Sequence, residues 1–125
     1  MMNYRKAIDE AILYCTTLPN FRSGLFIYTE AESDVVYELI NDRYKNNFEI
    51  KPLRIGMGWV LTFDNDSVIY IIRYSNDVND LIHTPRLHMV YMSENIGQEV
   101  FTVLIRPRII PYQIRDNIRV IGIGE

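Results

Sequence analysis

Apolar positions along the chain first recur at helical spacing. Tyr4, Ala7, Ile8, Ala11, Ile12 and Cys15 fall three and four residues apart, which builds one apolar face and predicts a helix from about Asn3 to Cys15. Pro19 and Asn20 break that pattern. Gly24-Leu25-Phe26-Ile27-Tyr28 is a short apolar run of strand formers and predicts a buried strand. Thr29 and Glu32 stand at capping-box spacing, so a second helix starts there. Val35, Val36, Leu39, Ile40 and Tyr44 carry its stripe to about Asn46, and residues 48–53 predict another strand, interrupted at its end by Pro52.

From Met57 to Tyr74 the period shortens. Gly58-Trp59-Val60-Leu61-Thr62-Phe63 and Val68-Ile69-Tyr70-Ile71-Ile72 flank Asp64-Asn65-Asp66-Ser67, residues that tolerate positive φ, which predicts a hairpin. A polar loop, Ser75 to Asp80, leads through Leu81-Ile82-His83 to Pro85. Leu87-His88-Met89-Val90-Tyr91-Met92 predicts a buried strand and residues 98–105 a helix, with Val100, Phe101, Leu104 and Ile105 inward and Pro107 and Pro111 as its stop. Residues 118–123 close the chain as a strand. Helices alternating with buried strands imply an α/β fold: a three-layer domain with a mostly parallel sheet, one β-hairpin and helices on both faces. No repeat or linker composition divides residues 1–125, so a single domain is expected.

Composition narrows the class. Charged residues at 23% and hydrophobic residues at 48% fit a folded globule rather than a disordered chain. One cysteine, Cys15, leaves no internal disulfide framework, and no apolar run approaches the roughly 20 residues of a membrane span. The first fifteen residues carry charges through their middle and so do not form a secretory signal. A cytoplasmic protein with no membrane partner is the expectation. The net charge of −3 argues against a general nucleic-acid coat. Charge is uneven, however: from Phe101 onward Arg106, Arg108, Arg115 and Arg119 face only Asp116 and Glu125. These arginines are candidates for contact with an acidic partner or a phosphate.

Candidate chemistry is sparse. No GxxxxGK[ST] phosphate cradle occurs, and each of Lys6, Lys45 and Lys51 lacks the preceding glycine. Gly56-Met57-Gly58 precedes Trp59 and reads as a strand bend. His83 and His88 flank Pro85 without clustered Cys or carboxylates, so no metal site is expected. Ser67, Ser93 and Cys15 have no adjacent catalytic partner. Glu49-Ile50-Lys51 would place Glu49 and Lys51 on one face of a strand, as in nucleases that hold Mg²⁺ with an upstream Asp, but Asp34 and Asp42 fall on the predicted helix. A small Mg-dependent nuclease is therefore one alternative function. A nucleic-acid-binding module built on the arginine-rich C-terminal third with Tyr112 is another.

The strand ending in Ser93-Glu94 points elsewhere. Phosphate-loop NTPases end such a strand with two acids, one for Mg²⁺ and one for the attacking water. The sequence of predicted elements resembles the ATPase core of viral large terminase subunits and related DNA helicases, over nearly the whole chain and with few specific motifs. The resemblance implies that Ser93 stands at the magnesium ligand, that Glu94 stands at the catalytic Glu, and that the chain starts where the phosphate loop would have just ended. It also implies a degenerate core without nucleotide cofactor: a pseudo-ATPase of viral or mobile-element origin, found in the host cytoplasm. Such a protein would act by binding a protein partner in DNA processing or host takeover. An open sheet edge would invite such a partner or a second copy.

Overall fold

Asn3 starts the first helix by accepting the backbone N–H of Lys6 on its side-chain oxygen at 2.8 Å. The computed structural model describes residues 2–44, 48–52, 58–73, 86–109 and 118–122. Helix α1 (Tyr4–Thr17) buries the stripe that the sequence marks, Tyr4, Ala7, Ile8, Ala11, Ile12 and Cys15. Strand β1 (Arg22–Ile27) follows, and then helix α2 (Glu30–Tyr44), which buries Glu32, Val36 and Ile40. Strands β2 (Glu49–Pro52), β3 (Gly58–Thr62), β4 (Val68–Arg73), β5 (Met89–Ser93) and β6 (Ile118–Ile121) complete one six-stranded sheet in the order β2-β3-β4-β1-β5-β6.

The sheet has two parts. Strands β4, β1, β5 and β6 are parallel to one another, with Leu25 lying between Ile71 and Tyr91. Strands β2, β3 and β4 form an antiparallel meander. Residues 49–52 thus extend the predicted hairpin by one strand rather than joining the parallel set. Helices α1 and α2 cover one face, over Leu25, Ile27, Ile69, Ile71, Met89 and Tyr91. The opposite face packs Phe26, Ile72, Val90 and Met92 against Phe101 and Ile105. Every residue of β5 is buried, as is all of β1 after Arg22, so the two central strands read as continuous apolar runs. This is the layered α/β architecture predicted from the pattern. No helix among the described residues is long and apolar enough to cross a membrane.

The second-face helix departs from expectation. It opens as one α-helical turn, α3 (Gln98–Val100), widens into a π-helical stretch, Phe101–Ile105, and tightens into a 3₁₀ turn, Arg106–Arg108. Pro107 has no N–H for the carbonyl four residues back, and the Arg106 N–H reaches the Phe101 carbonyl instead. The expected inward side chain of Leu104 lies outside the described residues. On β1, a Cβ at Gly24 would come within 2.6 Å of Leu87 Cδ1 and 2.8 Å of the Phe26 ring, so a larger residue there would have to displace these two buried side chains.

The hairpin tip holds the end of α1. Asp66 takes a φ of 68°, in keeping with the expected positive-φ turn, and Asn65 reaches across from it. Asn65 Nδ2 donates to the Cys15 carbonyl at 2.8 Å and the Leu18 carbonyl at 3.3 Å, while the Ser67 hydroxyl donates to the Leu18 carbonyl at 2.6 Å. These carbonyls are among the groups that a helix end leaves without an internal partner. The Ser67 hydroxyl also accepts the Phe21 N–H at 3.0 Å, which fixes the entry into β1. Asn65→Ala should therefore lower unfolding free energy by about 1–2 kcal/mol. Urea denaturation with an unchanged m-value checks this; a loss below a few tenths of a kcal/mol would show that solvent satisfies the helix end equally well.

Candidate functional site

In an open parallel sheet, ligand chemistry collects outside the carboxyl ends of the strands. Here β1, β5 and β6 end together, since Phe26 pairs with Met92 and Ser93 pairs with Ile121. The exit of β1 and the first turn of α2 bring Tyr28, Thr29 and Glu32 to one side, and the end of β5 and its following turn bring Ser93, Glu94 and Asn95 to the other. Glu32 is 1% exposed, and Ser93 is fully buried.

Glu32 begins as a helix cap. Thr29 Oγ1 accepts the Glu32 N–H at 3.1 Å, and Glu32 Oε1 accepts the Thr29 N–H at 2.9 Å, which is the reciprocal pair that the sequence spacing predicts. The same oxygen is also reached by the Tyr28 N–H at 3.3 Å and by Asn95 Nδ2 at 3.4 Å. The other oxygen takes the Tyr4 hydroxyl from the start of α1. The Ser93 hydroxyl donates to the same carboxylate and in turn accepts the Asn95 N–H at 3.1 Å. One buried carboxylate thus joins α1, α2 and the end of β5.

The charge state follows from these contacts. Burial pushes the Glu32 carboxyl up, but the hydrogen bonds from Ser93, Tyr4, Thr29 and Asn95 together outweigh it and leave the group below its ordinary value of 4.5. Tyr4 is driven far upward by burial, by donating to Glu32 and by that carboxylate's charge, so it stays a neutral donor. Beside them lies a cleft of about 370 Å³ lined by Asn3, Tyr4, Arg5, Glu32, Val35 and Gly122, among others.

The other sequence candidates lie apart from this cluster. Glu94 follows Ser93 as an exposed turn residue whose N–H donates to the Ile121 carbonyl at 2.8 Å. Glu49 and Lys51 share a face of β2, as alternation requires, and lie 3.6 Å from each other with side chains 68% and 64% exposed. Asp34 and Asp42 are exposed on α2, and the described residues contain no group of three or more side chains able to hold a metal ion. Arg106 is exposed on the segment covering the second face. Arg119 lies on the first face with its Nε 3.5 Å from Glu10, which also accepts the Tyr91 hydroxyl at 2.8 Å. The Arg108 side chain, Arg115, Tyr112 and His83 lie outside the described residues.

His88 Nδ1 accepts the Arg22 N–H at 3.0 Å at the opposite end of the sheet, where its ring stacks on Phe21. Cys15 is buried, and burial pushes its thiol up to about 12 against a smaller opposing effect of the Ser23 hydroxyl. Neither residue reaches the carboxylate cluster.

No protein-family model and no curated protein matches the chain. Among solved structures it is similar to the large terminase of a thermophilic bacteriophage, with a TM-score of 0.57 and 14% sequence identity over 95% of this chain. The likeness is one of fold. The chain spans 29% of that terminase's length.

Tyr4 and Glu32 are the residues that sequence reading passed over, one counted as core and the other as a cap. A signal was present. Glu32 stands four residues before Val36 and eight before Ile40, on the inward stripe of α2, and Tyr4 opens the inward stripe of α1. A carboxylate at such a position must find donors inside.

The sign of the pH effect follows. The folded value of Glu32 is depressed, so its contribution to stability is complete above 4.5 and is lost as pH falls through the folded value. Glu32→Gln offers a single acceptor oxygen and an NH₂ group to a shell of donors, and should cost about 2–3 kcal/mol at neutral pH. Denaturation series from pH 7 to pH 3 should show a shallower acid limb in the variant than in the parent; parallel limbs would remove the charged carboxylate from the account.

Proposed function

We propose that the chain is a non-catalytic α/β protein of NTPase-like architecture, of viral or mobile-element origin, which acts by binding a protein partner in DNA processing. The observation that carries this reading is the state of Ser93. In phosphate-loop NTPases the strand equivalent to β5 ends in an acid that holds Mg²⁺. Here the residue at that strand end is a fully buried serine whose hydroxyl accepts the Asn95 N–H and faces the Glu32–Tyr4 pair. A metal ligand must present an oxygen to an open coordination site. The fold likeness to a phage large terminase supports the viral setting. The nuclease and nucleic-acid-module readings draw less support, since Glu49 and Lys51 face each other at an exposed edge and Arg106 and Arg119 lie on opposite faces of the sheet.

The experiment is a turnover assay with ATP and Mg²⁺ on the parent, Glu94→Ala and Ser93→Asp. The parent should release no phosphate above the blank. Ser93→Asp should not create activity; it sets a second carboxylate against Glu32 in a buried site and should destabilise the fold by about 3–5 kcal/mol. Magnesium-dependent turnover by the parent that disappears in Glu94→Ala would overturn the reading.

A further inference from the structure

We propose that the outer edge of β6 accepts one extended, alternately apolar strand of a partner protein, added parallel to β6; this rests on the binding reading above and names where the partner sits. The two edges of the sheet are built differently, although each edge strand is four residues long. β2 carries the exposed Glu49 and Lys51 and ends in Pro52, which has no N–H to offer. Charge and proline are devices that keep a sheet edge from pairing. β6 contains no proline, and on its second-face side it carries no charge. Ile118 and Val120 lie on that side, 36% and 39% exposed, beside the buried Val90 and Met92 with which they pair.

The backbone of β6 sets direction and register for what it accepts. Met2 pairs with Ile121 in parallel: the Met2 N–H donates to the Val120 carbonyl at 3.1 Å, and the Gly122 N–H donates to the Met2 carbonyl at 2.9 Å. Alternation puts the Val120 N–H and both backbone groups of Ile118 on that same outer side. No described residue other than Met2 pairs there. Met2 thus begins a parallel ladder at one end of the edge, and no other described residue continues it along the rest. The same contact disfavours a second copy, because two-fold pairing of β6 with itself is antiparallel and would run into Met2 at each end. The side chains of the added strand that lie beside Ile118 and Val120 must be apolar, to continue the second-face core over Val90 and Met92. Those on the opposite side meet Arg119 and Glu10 and must be polar.

The test supplies a strand of that pattern in cis. Thr-Val-Thr-Val-Thr is fused directly ahead of Met1 in the full chain, where a parallel register brings it alongside Ile118 and Val120. Hydrogen exchange is read at the Ile118 and Val120 amides. Exchange at both should slow about tenfold or more relative to the unextended chain, with a higher Tm. Val120→Pro, which removes the outer N–H, should abolish the protection, and Ile118→Lys, a milder edge change, should weaken it. Unchanged exchange in the extended chain would overturn the acceptor. An unextended chain that is dimeric by light scattering, with both amides already protected, would overturn it in favour of a second copy. ATP turnover by the parent would sink the non-catalytic reading alone, and leave the exchange result to stand by itself.

Discussion

A carboxylate taken out of water must be surrounded by donors, and for Glu32 those donors come from three separate elements. Tyr4 belongs to the first turn of α1, Thr29 and Tyr28 to the entry of α2, and Ser93 and Asn95 to the exit of β5. Each element can be placed only where its donor reaches the shared oxygen pair. Apolar packing decides that two helices lie on this face of the sheet, because Val36, Ile40, Ala7 and Ala11 must be covered. It does so without direction. The hydrogen bonds to Glu32 supply the direction, and they fix how far α1 and α2 slide along the strands.

That arrangement bears on the strand ends as a place for chemistry. Parallel sheets gather backbone groups and helix starts at their carboxyl ends, which is why so many α/β proteins work there. Among the described residues at that end, Tyr4, Thr29 and Asn95 turn their hydrogen bonds toward Glu32. The Ser93 hydroxyl and the Tyr4 hydroxyl are turned inward, and the exposed acid, Glu94, sits on a turn whose backbone is tied to β6. The fold is similar to part of a phage large terminase, and the Glu32 cluster ties α1, α2 and the end of β5 together.

Much of the fold was legible because two periods dominate the sequence. The three- and four-residue spacing of α1 and the unbroken apolar runs of β1 and β5 follow directly from one-sided and two-sided burial. Pairing was less legible. Nothing local in Glu49-Ile50-Lys51-Pro52 says that it joins β3 antiparallel, since strand identity depends on backbone and strand partners on the rest of the sheet. The irregular helix before Arg108 follows from Pro107, whose effect reaches back four residues into a segment, Phe101–Ile105, that is already rich in β-branched and aromatic residues. The carboxylate cluster was half legible: the Thr29–Glu32 cap could be read from spacing, but the approach of Tyr4 and Ser93 is a tertiary event. The arginines gave a charge trend along the sequence and no shared surface among those described.

The Asn65 clamp has a consequence for how the molecule can be handled. A hairpin tip is ordinarily where a foreign peptide or an affinity tag can be spliced in without harm, because its backbone groups face solvent. Here the tip ties the end of α1 and the entry of β1 through Asn65 and Ser67 across some fifty residues of sequence. An insertion between Asp64 and Ser67 would undock the helix from the sheet, so a tag that must leave the molecule intact belongs elsewhere.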